Sequence, residues 1–517
     1  MAKGFVALVG AGPGEVGLLT LRGKEYIEKA DVVVYDRLVS PEILDLIPKG
    51  TKKIDVGKHS GNHKVPQEEI NNILLKEAKE GNMVVRLKGG DPFLFGRGGE
   101  ELELLFENNI PFEVVPGITS AISVPSYAGI PVTHRDFCSS VHIITGHQKK
   151  NEELKINYKA LCEAGGTLVF LMGVASLKEI MDGLIKAGMD KDTPAAIIEN
   201  GTCPNQRMVA GTIENLYERA TVEEIKSPSV IVVGEVCKLA DKYNWFNKRP
   251  LFGKKIIVTR PKESGNELST KLKELGCKVY DYPCIEIQEM TDNQILKNEI
   301  NCISSYSWMV FTSKNGVDAF FKYLLKENMD FRVLKDIKIA AVGLKTAQSL
   351  KERGITADFV PDVFDGENLA KGLLERTKKW EKVLLVRALR GTEEIPNILS
   401  EGGIVFKDIP IYNTLFKNEN AQHMQELIEQ NEIDLVTFTS GSTVEAFVKS
   451  MPKVDLSRVT GICIGEKTAL KAKEYGIRHF VSDEATVASM ISKILEVCNE
   501  KSRNMWKRDK AKKAEGK

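Results

Sequence analysis

At 517 residues the chain is longer than one hydrophobic core serves, so several domains are expected, and its 42% apolar content is enough to fill their cores. Its 72 basic and 71 acidic residues nearly cancel, which excludes a global field for nucleic acid or a membrane surface and leaves any anionic ligand to local groups. No apolar run reaches the roughly eighteen residues of a bilayer span, and nine cysteines without a CxxC pair, behind a start (MAKGFVALVG) unlike a signal peptide, point to a reduced, cytoplasmic protein.

From Phe5 to about Glu235, the short apolar runs FVALV, DVVVY, MVVRL, VHIIT, TLVFLM, AAIIE and SVIVVG alternate with segments of helical period such as QEEINNILLKEAKEG. This predicts an α/β architecture with much parallel sheet. YNWFNKRPLFGKK, polar, basic and carrying Pro250 and Gly253, then reads as a domain boundary. Beyond it the chain repeats itself. Arg260 recurs as Arg387, Pro283 as Pro410 and Phe311 as Phe438, all offset by 127, and AVGLKTAQSLKERGI recurs as CIGEKTALKAKEYGI, offset by 122. Residues 254–497 are therefore expected to be two related α/β units with a cleft between them. The tail KSRNMWKRDKAKKAEGK, eight basic residues against two acidic, is expected to be disordered.

Two glycine-rich turns follow predicted strands in the first half. Gly12-Pro13-Gly14-Glu15-Val16-Gly17 fits GxGxxG, and Asp36 lies nineteen residues further on, where a dinucleotide-binding acid would grip ribose. That favours a nicotinamide-dependent oxidoreductase as the alternative reading, although Pro13 has no N–H to offer a pyrophosphate. The second turn, in VRLKGGDPFLFGRGGEE, lacks the lysine and hydroxyl of a phosphate loop and carries Asp91, which suits ribose hydroxyls or a sulfonium better than a phosphate. Simple tight turns account for the same glycines equally well. His59 and His63 raise a zinc question, but no third ligand follows at metal spacing, so no metal is expected.

The motifs GAGPGEVGLLT, YDRLVS, VGK, RLKGGDPFLFGRGGEE, VPGITSAISVPSYAGIPVTHR, TGH, FLMG, TPAAIIENGT and NQRMVAGTI, in this order over residues 3–246, closely resemble uroporphyrinogen-III C-methyltransferase of the tetrapyrrole methylase superfamily. The resemblance implies two α/β subdomains around a cleft that holds S-adenosylmethionine. It implies cofactor contacts at Pro13, Gly89, Gly90, Asp91, Leu94, Thr119, Ser120, Met172 and Gly201, a base at Asp36 and an acid at Lys58. His63 would shape the porphyrinogen side of the cleft, and Arg97 would either reach a porphyrinogen carboxylate or brace its own turn. Without the family, Asp36 reads as a turn residue, Lys58 as solvated and Met172 as core. Glu15 and Val16 depart from the family's usual Asp-Pro, a change expected to be neutral. A homodimer through this half is also implied.

The second half resembles uroporphyrinogen-III synthase over residues 254–497, through its duplication and FTSKNGVDAF, AVGLKTA, PIYNT, FTSGSTVEAF and CIGEKTA. This implies two α/β subdomains joined by a strand pair, about 254–287 with 414–497, and 288–413. The implied reaction closes hydroxymethylbilane to uroporphyrinogen III with loss of water. Tyr412 would assist departure of the hydroxyl, and Ser313, Thr346, Ser440, Ser442 and Thr468 would bind substrate carboxylates. Helix capping explains the same hydroxyls, core packing the same tyrosine, and Arg260 and Arg387 either add charge or stay solvated. A non-catalytic porphyrinogen-binding module is the alternative for this half. The expectation is thus a bifunctional enzyme: residues 1–246 methylate, 247–253 link, 254–497 cyclise, and 498–517 form the tail.

Overall fold

The computed structural model describes residues 4–57, 65–146, 156–260, 267–290, 292–417 and 420–499. The chain divides into two compact units, Met1–Lys254 with Lys271–Lys278, and Lys255–Thr270 with Val279–Lys517.

The first unit holds two five-stranded sheets. One contains β1 (Phe5–Gly10), β2 (Val32–Tyr35), β3 (Lys52–Asp55), β4 (Met83–Lys88) and β5 (Phe112–Val115) in the order β3-β2-β4-β1-β5, with every pairing parallel. Residues such as Val6, Ala7, Leu8 and Val9 are wholly buried, as a parallel strand covered on both faces must be. Ala7, Val9 and Leu87 face one helix layer and Val6, Leu8 and Val84 the other. The expected helix forms over Gln67–Lys79. This strand order inserts β4 between β1 and β2, unlike the 3-2-1-4-5-6 order of dinucleotide-binding folds, so the GxGxxG match does not carry the oxidoreductase reading.

The second sheet contains β6 (Val141–Thr145), β7 (Thr167–Leu171), β8 (Pro194–Glu199), β9 (Arg207–Thr212) and β10 (Ser229–Val233), ordered β6-β7-β10-β8-β9. Only β6 and β7 are parallel here, because β10 returns antiparallel between β7 and β8 and β9 folds back on β8. The expectation of much parallel sheet therefore holds for the first sheet and is corrected for the second.

The second unit is built as two lobes from β11 (Lys255–Val258), β12 (Lys278–Asp281), β13 (Ile285–Glu289), β14 (Trp308–Phe311), β15 (Lys338–Ala341), β16 (Lys382–Ala388), β17 (Val405–Phe416), β18 (Leu435–Phe438), β19 (Thr460–Cys463) and β20 (Arg478–Val481). The sheet of the first lobe runs β12-β11-β18-β19-β20 and that of the second β13-β17-β16-β14-β15. The chain passes between them twice, and the passages are zipped together where β13 pairs antiparallel with β17 from Ile285↔Phe416 to Glu289↔Tyr412. Each lobe has its own core, one around Phe438 and Phe447, the other around Phe311 and Phe320. Among the described residues no helix is long and apolar enough to cross a membrane.

Candidate functional sites

In the first unit the loops that leave β1 and β4 are neighbours because the strands are. Ala11 N–H donates to Lys88 O at 2.7 Å, and Gly12 and Gly90 exchange N–H···O bonds of 3.1 and 2.7 Å. Gly90 has φ +68°, the left-handed conformation that glycine adopts freely. A third loop enters at Gly117, where an added Cβ would lie 2.1 Å from Gly90 O and 2.7 Å from Gly10 Cα. Three backbones thus meet at the strand ends with no side chain between them.

Asp91 organises this meeting. Its Oδ1 accepts from Phe93 N–H at 2.8 Å and Leu94 N–H at 3.0 Å, and its Oδ2 from Gly117 N–H at 3.0 Å. The carboxylate is first a clasp between two loops, a task the sequence reading had not given it; what remains for a ligand hydroxyl is its unused lone pairs. Thr119 caps the helix Ser120–Tyr127, accepting from Ala121 N–H. Gly201 presses on that helix, since a Cβ there would come within 2.3 Å of Val124, and the adjoining Thr202 Oγ1 accepts from Glu15 N–H at 3.3 Å. Leu94 packs against the core of the second sheet beside Ala121 and Val124. The loops bearing Pro13, Gly89, Gly90, Asp91, Leu94, Thr119, Ser120 and Gly201 therefore converge. Met172 ends β7 with φ +57° and is 48% exposed, so it is not the core residue its strand suggests. A left-handed bulky residue is strained backbone of the kind that collects at functional sites.

Asp36 lies at the end of β2, beside a buried ionic chain that sequence reasoning missed. Its Oδ2 is 3.6 Å from Arg86 Nη2; Arg86 Nε donates to Glu101 Oε1 at 3.2 Å, and Lys88 Nζ to the same oxygen at 2.7 Å. Gln67 adds a third donor to it, while Glu101 Oε2 is buried without a hydrogen-bond partner among the described residues. Arg86, Lys88 and Glu101 side chains are at most 6% exposed, and Asp36 at 28% is the open end of the chain. Desolvation, and then the like charge of Arg86, push the Lys88 ammonium below its usual pKa. The signal was present in MVVRLK: Arg86 and Lys88 are two apart in an otherwise apolar strand, hence on one face of the sheet. Arg97 has φ +58° and donates to Glu100 in two bonds of 2.9 and 2.6 Å, an exposed ion pair within its own turn. Lys58, His59 and His63 lie outside the described residues.

In the second unit the expected hydroxyls gather at helix starts. Ser313 caps the helix Lys314–Lys326 and Ser440 the helix Gly441–Ser450, the latter in a reciprocal capping box with Thr443. Ser442 Oγ lies 2.8 Å from Ser440 Oγ. Thr346 and Thr468 are 4% and 5% exposed and face inward in the first turns of Leu344–Lys351 and Glu466–Glu474. Capping thus accounts for Ser313 and Ser440, and the uncommitted N–H groups of those first turns are the donors left for an anion. Tyr412 is 6% exposed, and its Oη lies 2.9 Å from Ser313 Oγ. Burial pushes the phenol pKa up while the bond to Ser313 pulls it back, so the group stays a neutral proton donor. The two repeat arginines differ. Arg387 is held by Asp408 through a 2.5 Å pair, by Glu393 and by Thr392 O, which removes it from the candidates for a ligand. Arg260 has no hydrogen-bond or ion-pair partner among the described residues, and desolvation lowers its pKa.

An α/β unit of one parallel and one mixed sheet with a bare-backbone loop cluster, followed by a duplicated two-lobed unit with hydroxyls at its helix starts, is the class of protein these arrangements define, and known families divide the same way. Residues 6–217 match the family of tetrapyrrole (corrin/porphyrin) methylases, and residues 266–492 that of uroporphyrinogen-III synthase HemD. The porphyrin biosynthesis protein HemD of Ruminiclostridium josui is 54% identical over 497 residues, covering 96% of this chain and 99% of that protein. The chain belongs to this family, as a tetrapyrrole methylase joined to a uroporphyrinogen-III synthase. Siroheme synthase 2 of Yersinia enterocolitica is 54% identical over 245 residues, 47% of this chain and 51% of that protein; the match to such siroheme synthases spans about half their length. A crystal structure of uroporphyrin-III C-methyl transferase from Thermus thermophilus, complexed with S-adenyl homocysteine, is 38% identical and covers 46% of this chain and 99% of that one, with a TM-score of 0.40.

Proposed function

We propose that the second unit cyclises hydroxymethylbilane to uroporphyrinogen III, and that the first methylates this product twice with S-adenosylmethionine to give precorrin-2, the two activities residing in residues 254–497 and 1–246. The observation that carries the reading is the end-to-end identity to a porphyrin biosynthesis protein with both family matches in one chain. Enzymes of this kind make and use one intermediate in succession, which gives a reason for the fusion.

In the methyl transfer the sulfonium S–CH₃ bond breaks as a bond forms to an electron-rich pyrrole carbon, and that carbon sheds a proton. The cofactor supplies the activated methyl group when bound; the protein aligns, excludes water and accepts the proton. The Gly10–Gly90–Gly117 meeting leaves backbone groups within reach of a close ligand, and Thr119, Ser120 and Gly201 edge it. Asp36 is the proposed base: Leu38 N–H donates to its Oδ1 at 3.1 Å, and Arg86 Nη2 lies 3.6 Å from Oδ2, which orients the carboxylate. Lys58 is the proposed acid and His63 a substrate contact. In the cyclisation the hydroxymethyl oxygen leaves as water with a proton from a weak acid, the terminal pyrrole inverts, and the ring closes with loss of a ring proton. Tyr412, kept protonated by burial beside Ser313, fits the acid. We also propose a homodimer through the first unit, to be checked by sedimentation.

Incubation of the purified protein with hydroxymethylbilane and S-adenosylmethionine should give dimethylated product. Supplying uroporphyrinogen III instead isolates the methylation. If hydroxymethylbilane gave only the isomer that forms spontaneously, the synthase reading would fail while the methylase reading stood.

A further inference from the structure

The turn that carries Gly201 is held in a conformation its own residues do not favour. Asn200 and Thr202 have φ +48° and +67°. Asparagine tolerates the left-handed region, but a β-branched threonine there is an outlier. Such strain persists only where the surroundings over-determine it, and it gathers at ligand clamps. Gly201 is a proposed cofactor contact, so whatever fixes its flanks bears on binding.

A single buried amide fixes them. Thr202 N–H donates to Gln206 Oε1 at 2.9 Å, and Gln206 Nε2 donates to Tyr127 O at 3.3 Å and to Asn247 Oδ1 at 3.0 Å. Thr202 and Gln206 are 1% and 3% exposed. The two main-chain partners set the orientation of the amide, since Thr202 N–H requires an acceptor and the Tyr127 carbonyl a donor. A carboxylate at this place satisfies only one of them, and an apolar side chain neither.

The partners of Gln206 belong to separate parts of the first unit. Thr202 abuts the loop after β1: its Oγ1 accepts from Glu15 N–H, and a Cβ on Gly14 would lie 2.7 Å from the neighbouring Cys203 Sγ. Tyr127 ends the helix Ser120–Tyr127, which starts at Thr119 and Ser120 and lays Val124 against Gly201. The last carbonyls of a helix lack intrahelical donors; Gln206 meets that of Tyr127, and Trp245 Nε1 meets that of Ser126 at 3.2 Å. Asn247, where the linker was expected to begin, is joined through Gln206 to the same turn.

We propose that Gln206 is a positioning residue for S-adenosylmethionine. It touches no ligand; its amide locks the left-handed Asn200–Thr202 turn against the helix Ser120–Tyr127, so that the Gly201 backbone is preset for the cofactor. The inference rests on the methylase reading and deepens it. Without the amide the turn relaxes toward ordinary backbone angles, and binding must restore it, which lowers affinity in proportion to the competent fraction.

The test titrates full-length protein with S-adenosylhomocysteine by calorimetry. Gln206→Leu should weaken binding about tenfold. In assays with uroporphyrinogen III it should raise KM for S-adenosylmethionine, with KM for uroporphyrinogen III and kcat within about threefold of wild type. Thr202→Gly removes the steric cause of the strain, so adding Gln206→Leu to it should cost less than about threefold, a non-additivity that a general loss of stability does not produce. Hydrogen exchange of the unaltered protein needs no variant: the Thr202 amide should be protected before ligand is added. Unchanged affinity in Gln206→Leu overturns the proposal, as do equal costs of that change in both backgrounds, or a Thr202 amide that exchanges freely until ligand binds. A wild-type protein that neither binds S-adenosylhomocysteine nor methylates uroporphyrinogen III overturns the methylase reading instead.

Discussion

The two units solve opposite electrostatic problems with the same α/β layers. In the first, charge is buried and spent: Arg86 and Lys88 are balanced by Glu101 and Asp36, and of these four Asp36 is the most exposed. In the second, the groups gathered at the candidate site are neutral hydroxyls, with Tyr412 Oη 2.9 Å from Ser313 Oγ. The difference follows the chemistry. A base that must take a proton from carbon benefits from a fixed, anionic, preorganised carboxylate. Folding a flexible polyanion into a ring benefits from scattered donors that bind many carboxylates and from a weak acid that stays protonated. The repeat teaches the same lesson on a smaller scale: Arg260 and Arg387 share a position and each repeat carries an aspartate at the same offset, yet Asp408 holds Arg387 while Asp281 accepts from the Ser269 hydroxyl.

That contrast can be broken experimentally. Glu101→Ala should have the largest effect, because it strands Arg86 and Lys88 as buried cations; about 3–5 kcal/mol of destabilisation of the first unit is expected in denaturant titrations, with loss of methylation and retained cyclisation. A smaller loss would mean that the chain is hydrated. Gly117→Ala should follow, since its Cβ would meet Gly90 O at 2.1 Å; S-adenosylmethionine affinity measured by calorimetry should fall by at least about tenfold, roughly 1.4 kcal/mol, leaving the synthase rate untouched. Arg387→Met is expected to cost about 1–3 kcal/mol of stability in the second unit by leaving Asp408 without its partner, whereas Arg260→Met should stay within about 0.5 kcal/mol. Equal costs would erase the distinction drawn between the two arginines. Tyr412→Phe should cost about 0.5–1.5 kcal/mol of stability but slow cyclisation by at least about tenfold if the phenol is the acid; an unchanged rate would leave it a packing residue of the lobe core.

Much of the architecture was legible beforehand. All seven apolar runs of the first half became strands, from Phe5–Gly10 to Ser229–Val233, because a buried parallel strand needs little more than consecutive β-branched and apolar residues. Missed were Lys52–Asp55, Phe112–Val115 and Arg207–Thr212, edge strands half exposed and therefore mixed in composition. The glycine turns were read as room for a ligand or as tight turns, and backbone meets backbone there; Asp91 was read as a ligand group, and its carboxylate also accepts from three main-chain N–H groups. Sequence spacing places a carboxylate in a loop; it does not say which amides the loop will turn toward it.

The order of motifs along the chain determined the α/β class, the duplication and the family, since strand patterning and signature turns are local properties carried by neighbouring residues. Tertiary structure alone decided which charges meet. Arg86 and Glu101 are fifteen residues apart, and Asp36 and Arg86 fifty, and no local pattern specifies such pairs. Coulomb energy depends on distance and desolvation, and both are settled only when β4 slides between β1 and β2 and when the two lobes close on their shared strand pair.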